Sequence, residues 1–294
     1  MRMGPLRPTI DVVVPFKGSR AELDDVRARL AALELREGDS VLVVDNTPGH
    51  GSAGGPAPVL PATDFPTPGY ARNRGAARGS SEWVLFLDAD VVPSPDLLDR
   101  YFDPPPEERT AILAGGVRDE PVDTGAGAVA RYAYIRGAMS QDNTFGYGPR
   151  WGFPQTANAA FRRSAFEAAG GFRDHIFNGE DADLTYRLRD AGWGVERRED
   201  ASVVHLSREG VRAMARQKAI HGSAAAWLNR EYEGSFPARR RPGLVWWGIR
   251  SAVKGLAAAL RLRDRDRALW AVLEPLEQIS YEFGRSFSNE RPRS

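Results

Sequence analysis

Three small clusters of residues carry the chemistry that this sequence offers. In "EWVLFLDADVVP", Glu82 to Pro93, an apolar run leads straight into Asp88 and Asp90. In "NGEDADL", Glu180 and Asp181 stand where a helix should begin. His205 ends the strand-like "ASVVHL". Side chains two apart on a strand share a face, so Asp88 and Asp90 are expected side by side at the strand's C-terminal end, where open α/β sheets bind ligands. Two close carboxylates repel unless a cation lies between them. Magnesium or manganese suits oxygen ligands completed by phosphate. A strand-ending aspartate that merely caps a turn explains the pair equally well. Glu180 and Asp181 either cap their helix, whose N-terminus favours anions, or supply a general base for a hydroxyl. His205 is a metal ligand or an ordinary hydrogen-bonded histidine.

Two further stretches bear on a ligand. Asp45 closes the strand-like "DSVLVVDN"; it is placed either to hydrogen-bond a nucleoside or to form a turn with Asn46. Arg72 and Arg74 in "GYARNRG" are candidates for phosphate contact or for plain solvation. There is no P-loop, no G-x-G-x-x-G after the first strand and no serine nucleophile elbow, which argues against NTPases, typical dehydrogenases and common hydrolases.

The elements that must position these residues follow from periodicity. "TIDVVVP" reads as a buried strand. "SRAELDDVRARLAALELREG" reads as a helix with a Ser19–Glu22 capping box and Leu23, Val26, Leu30 and Leu33 on one face. With "DSVLVVDN" this makes a βαβ unit and hence a parallel sheet. Further strands are expected at 58–61, 82–90, 110–117 and 201–206. Helices are expected at 69–80, 94–102 (capped by Ser94), near 127–139, at 162–172, at 180–193, over 210–232 and in two stretches to about Gly284. The glycine-rich 119–156 reads as loops around its short helix.

The chain has 294 residues, 42% of them apolar, and a net charge of +1. That supports a sizeable core and gives no sign of a nucleic-acid partner. Cysteine is absent, so any metal is held by oxygen or imidazole. No secretory leader and no spanning helix are expected, which suggests a cytoplasmic protein. From Phe236 onward there are twelve Lys/Arg against six Asp/Glu, a net of +6 that leaves −5 for the rest. This tail has Val245, Ile249, Val253, Leu256 and Leu260 at helical spacing, with Trp246 and Trp247 near Arg239 to Arg241. Either that stripe packs on the rest of the chain or on a second subunit as a homodimer, or it meets the inner face of a membrane.

Taken in order, "VVVPF", "LVVDN", "ARNRGAARGSSEWVLFLDADVVP", "ANAAFRRSAFEAAGGF" and "GEDADLTYRLRDAGWGVERREDASVVHL" resemble glycosyltransferase family 2. The resemblance implies a GT-A fold: a Rossmann-like, mostly parallel sheet flanked by helices, here with a C-terminal helical extension. Residues 1–235 would form the catalytic domain, with a nucleotide-binding half to about 118 and an acceptor-binding half from 119, and 236–294 the extension. The implied activity is transfer of one sugar, with inversion, from a nucleotide-diphosphate sugar (a UDP-sugar by preference) to a hydroxyl of a saccharide, lipid-linked or small-molecule acceptor.

By position, the resemblance assigns the donor to Pro15, Asp45, Arg72, Asn73, Asp88, Ala89 and Asp90. It assigns manganese or magnesium to Asp90, Asp88 and His205, the general base to Asp181 with Glu180 in support, and the acceptor side to Trp151 and Asn158. The sequence departs from the family at "PFKGSR", in the Gly/Pro-rich 49–68, and in lacking Q-x-x-R-W after His205; the last departure favours single transfer over processive synthesis. A sugar nucleotidyltransferase, and a non-catalytic sugar-binding or scaffold protein on the same fold, are the alternatives.

Overall fold

The computed structural model describes residues 7–123, 125–206, 210–238 and 243–290. The chain divides into two compact units. One comprises residues 1–118, 140–176 and 180–206; the other comprises 119–139, 177–179 and 207–294.

The first unit is built on one eight-stranded sheet in the order β3-β2-β1-β4-β7-β6-β8-β5. The strands are β1 Ile10–Phe16, β2 Ser40–Asp45, β3 Val59–Pro61, β4 Trp83–Leu87, β5 Val91–Pro93, β6 Thr110–Asp119, β7 Asn158–Arg162 and β8 Gly194–His205. β1 pairs in parallel with β2 and with β4, and β2 with β3. Beyond β4 the character changes. β7 runs antiparallel to both β4 and β6, and β5 antiparallel to β8. The sheet thus has a parallel half, and strand order reverses at β1, which lies between β2 and β4. Such a reversal opens a crevice at the carboxyl ends of the strands.

The helix α1 Arg20–Leu30 crosses between β1 and β2. Its Ser19–Glu22 box is formed in both directions, and it buries Leu23, Val26 and Leu30. It stops a turn earlier than its apolar spacing suggests, yet Leu33 still reaches the core. The helix α2 Pro68–Ala76 starts on a Thr67 cap with Pro68 in the first turn. It lies so close to the sheet that a Cβ at Gly75 would sit 2.3 Å from Val13 Cγ1. Glycine is what permits that approach. Beneath it Phe86, Phe161, Phe166 and Phe172 meet with centroids 5.1–6.1 Å apart in tilted and edge-on geometry.

Several local expectations are corrected. The helix α3 is only Leu97–Arg100, its cap is Asp96 rather than Ser94, and no side chain bonds the cap. β5 and β7 were not foreseen, and β8 starts at Gly194, not at Ala201. The stretch 140–156 holds two single-turn helices, α5 Asp142–Phe145 and α6 Gly148–Trp151 (the helix α4 is given below). The helices α7 Arg163–Ala168 and α8 Glu180–Asp190 complete this unit.

The second unit is helical: α4 Ala128–Arg136, α9 Val211–Glu231, α10 Leu244–Leu262 and α11 Arg265–Gly284. Glu277 of α11 ties three of them. It accepts from Tyr132 Oη at 3.1 Å and from Arg136 at 2.7 and 2.8 Å on α4, and pairs with Lys218 of α9 at 3.2 Å. A buried carboxylate needs such partners. Among the described residues no helix is long and apolar enough to cross a membrane.

Candidate active site

The site lies within the sheet-bearing unit. β4 ends at Leu87, so Asp88, Ala89 and Asp90 form the turn into β5 rather than the end of a strand. The alternation argument for their shared face therefore does not apply. Their placement comes from strand pairing instead. Val91 of β5 stands opposite His205 of β8, and the Leu206 amide donates to the Asp90 carbonyl at 2.8 Å. That register brings His205 Nε2 to 3.5 Å from Asp90 Oδ2. The turn is held from the other side by Arg29 of α1, which donates to the Ala89 carbonyl at 2.7 Å.

The two acidic clusters, 92 or so residues apart in sequence, meet at one guanidinium. Arg72, on α2 and 3% exposed, donates to Glu180 Oε1 at 2.5 Å and to Asp88 Oδ1 at 2.7 Å. Its carbon also lies 5.8 Å from the Phe172 ring centroid. Burial works against the charge on Arg72, but Asp88, Glu180 and Asp181 more than offset it and raise its pKa. Arg72 is therefore a permanent cation in a nearly dry place.

Gly179 adopts φ of +83°, a left-handed turn, and α8 begins at the next residue. This sharp entry sets Glu180 and Asp181 side by side at the helix N-terminus. Burial pushes the Asp181 carboxyl up to about 7, with the Glu180 charge adding to the rise; the Ala182 amide and Arg72 oppose it, and Asp88 adds again. A carboxyl near neutrality is suited to proton transfer at physiological pH. The Ala182 amide donates to Asp181 Oδ1 at 2.8 Å.

Asp45 is fully buried at the end of β2. Oδ1 accepts from the Thr47 amide at 2.8 Å, and Oδ2 lies 2.7 Å from Nδ1 of His50. The local turn is real, but its partners are Thr47 and His50 rather than Asn46. Pro15 stands beside Val44 in the sheet, and the loop is tied to the segment after β1 by a bond from the Gly18 amide to Thr47 Oγ1 at 3.0 Å.

Other expected contacts serve the scaffold. Asn73 donates to the Phe172 carbonyl and Asp174 Oδ1 at 2.8 and 2.7 Å, and accepts from the Phe172 amide at 2.9 Å. It fixes the 172–174 loop, and both hydrogens of its Nδ2 are taken. Asn158 is fully buried; Tyr101 donates to its Oδ1, and its Nδ2 donates to the Gly116 and Ala201 carbonyls. It cannot contact an acceptor. Trp151 packs edge-on against Tyr186 of α8, 5.1 Å between centroids, and Arg150 lies over its ring at 4.6 Å. A sugar would have to displace Arg150 from that face.

Sequence reasoning missed His50 and Arg29. For His50 a signal existed: it is one of only four histidines and stands five residues beyond Asp45. Nothing in the sequence marks Arg29 out from its neighbours.

A D-x-D turn and a carboxyl near neutrality are thus joined by a buried arginine into one cluster, as the sequence resemblance implied. The Glycosyl transferase family 2 model matches residues 63–170, which include Arg72, Asp88 and Asp90 and end before Glu180. The match to that family is confined to this stretch, and the fold is of the GT-A type. It is 28% identical over 253 residues to the Pre-mycofactocin glycosyltransferase of Mycobacterium tuberculosis (strain CDC 1551 / Oshkosh), covering 76% of this chain and 48% of that protein. To Glycosyltransferase AglE of Haloferax volcanii it is 24% identical over 159 residues, 54% of this chain and 51% of AglE. The chain thus spans about half the length of the curated relatives it matches. Among solved structures it is similar to the mannosyltransferase PcManGT from Pyrobaculum calidifontis, in complex with GDP-Man and Mn2+. The TM-score is 0.65 and the identity 16%, over 96% of this chain and 88% of that one; this likeness bears on the fold.

Proposed function

We propose that the chain transfers a single sugar from a nucleotide-diphosphate sugar to an acceptor hydroxyl, with inversion at the anomeric carbon. The observation that carries this reading is the Arg72 bridge, which joins the D-x-D turn to the start of α8 through Asp88 and Glu180. Donor-side and acceptor-side carboxylates are thereby within one electrostatic cluster.

The residues fit a divalent cation only as part of a donor complex. Asp90 and His205 offer one carboxylate and one imidazole 3.5 Å apart, while Asp88 is engaged by Arg72. No group of three or more metal-binding side chains occurs among the described residues. Magnesium and manganese sites that hold nucleotides often have few protein ligands and take the rest from phosphate and water. A cation bound there supplies charge neutralisation for the departing diphosphate. Asp45, with His50 and Thr47, forms the nucleoside end of the crevice.

Asp181 accepts the proton of the acceptor hydroxyl. The hydroxyl oxygen forms its bond to the anomeric carbon from the face opposite the diphosphate, whose bond to that carbon breaks with both electrons leaving on phosphate oxygen. Glu180 and Arg72 hold Asp181's surroundings in place, and the proton then passes from Asp181 to solvent. UDP-sugars are the first donors to test, and GDP-mannose, named with the Pyrobaculum structure, the second.

The test is a thermal-shift panel of UDP, GDP, dTDP and CDP, each with and without manganese, on the chain and on Asp181→Asn. A diphosphate that raises the melting temperature only with the metal, in both proteins, supports the donor site. Turnover of the matching sugar nucleotide by the parent and not by the variant supports Asp181 as base. A nucleotidyltransferase would instead require a nucleoside triphosphate, and a binding protein would be indifferent to Asp181→Asn. If no nucleoside diphosphate stabilises the chain with any divalent ion, the reading fails.

A further inference from the structure

The helix α10 has two faces with different fates. Gly248 and Ala259 are buried, and a Cβ on Gly248 or Gly255 would meet Ile279 or Ala271 of α11 at 3.0 and 2.5 Å. These small residues let α10 lie close along α11. That accounts for one part of the helix surface. Most of the apolar stripe read from the sequence lies elsewhere; of it Leu256 is half-buried, and Trp246 joins the exposed part. Val245, Trp246, Ile249, Val253 and Leu260 are between 52% and 78% exposed. At about 100° per residue they share an arc of roughly 100°.

Charge is distributed just as unevenly. From Leu244 to Leu262 there are three cations, Arg250, Lys254 and Arg261, and no acidic residue. All three are exposed, and they fall on one flank of the apolar arc, roughly 40–80° beyond Trp246. A second copy of this chain docking antiparallel through the same face would make an isologous contact that sets these cations against their own kind. The arginine run 239–241 precedes the helix in sequence and lies outside the described residues.

We propose that this face of α10 lies in the plane of an anionic lipid bilayer, with the five apolar side chains in the acyl boundary and Arg250, Lys254 and Arg261 at the phosphate level. An exposed apolar arc with a basic flank and no acid is the pattern of an in-plane interfacial helix. Among the described residues α10 does not qualify as a spanning helix, so it rests on the membrane. This proposal does not depend on the sugar-transfer reading, since partition needs no turnover.

The experiment is vesicle co-sedimentation of the full chain. It uses phosphatidylcholine vesicles with and without phosphatidylglycerol, at low and high salt, alongside light scattering in solution. The parent should sediment with the phosphatidylglycerol vesicles and be released by salt. Trp246→Glu with Val253→Glu should lose at least tenfold in partition while melting like the parent, because both side chains are already exposed. Arg250→Ala with Lys254→Ala should lose roughly 25-fold, about fivefold per cation. Three results overturn the proposal: a parent that stays in the supernatant at low salt, apolar-face variants that partition like the parent, or a dimer in solution that those variants dissolve while vesicles fail to retain the parent.

Discussion

Asp181 makes a prediction in which catalysis and stability move in opposite directions. Its carboxyl, ordinarily near 3.8, is raised to about 7 in the folded chain. Between those values the folded state holds a proton that the unfolded chain has lost, so stability falls as pH rises from about 4 to about 7 and the full penalty stands above that. The rise corresponds to about 4 kcal/mol at ~1.4 kcal/mol per pH unit. Asp181 is only half-buried and pairs its titration with Glu180, so the realised figure is about 1–2 kcal/mol. Asp181→Asn keeps the shape and removes the charge. In chelator-containing buffer its melting temperature should match the parent's near pH 4 and exceed it by about 2–6 °C at pH 8. Turnover of the sugar nucleotide should drop by about 10²–10⁴ at the same time. The assay is a pair of melting curves across pH beside single-turnover kinetics at pH 7.5. A variant that is destabilised equally at every pH, or whose advantage is greatest at low pH, would refute the electrostatic account of this carboxyl.

Arg72→Met strands the buried Glu180 carboxylate and should cost about 3–5 kcal/mol in denaturant unfolding; it also removes a cation that holds Asp181 down, so the acidic limb of kcat/KM should move to higher pH, with Arg72→Lys restoring part of both. An unchanged limb would separate Arg72 from the base. Asp90→Asn and His205→Ala should each raise the manganese concentration for half-maximal activity at least tenfold, read by metal titration at saturating donor, and parent-like titrations would remove them from the metal site. Asn158→Ala leaves the Gly116 and Ala201 carbonyls and the Tyr101 hydroxyl without their partner and should lose about 2–3 kcal/mol of stability with the acceptor KM unchanged; a raised acceptor KM in a fully folded variant would return Asn158 to the acceptor side.

The parts of the fold that were legible are those whose physics is local. β1, α1 and β2 announce themselves through a β-branched run, a capping box and a one-face apolar spacing, and each recurs within a few residues in the structure. β7 escaped because "NAAFR" is five residues with two alanines, shows no alternation and runs directly into α7. The charged first half of β8, "GVERREDA", gave no strand signal because much of it faces water. For the candidate site residues the sequence carries type and order but not their hydrogen-bond partners. Only the fold shows that Asn73 holds a loop and that Asn158 is bonded within the core. The closeness of Asp90 and His205 follows from the Val91–His205 register, a pairing across more than a hundred residues that no local pattern encodes.

The charge balance of the cluster connects these findings. Arg72 contributes one positive charge to a neighbourhood shared by Asp88, Glu180 and Asp181, with Asp90 two residues beyond Asp88 in the same turn. Four carboxylates against one guanidinium cannot all ionise cheaply where water is scarce. One response is a raised pKa at Asp181, pushed up to about 7 by burial, Glu180 and Asp88 together. The other response open to such a site is to bind a cation near Asp90 and His205. The two responses compete, because positive charge placed beside the D-x-D turn counteracts the Asp88 field that helps hold the Asp181 proton. The acidic limb of turnover should therefore lie at lower pH when manganese is saturating than when it is limiting. A limb that does not move with metal concentration would mean that the turn and the start of α8, although joined through Arg72, do not sense each other's charge.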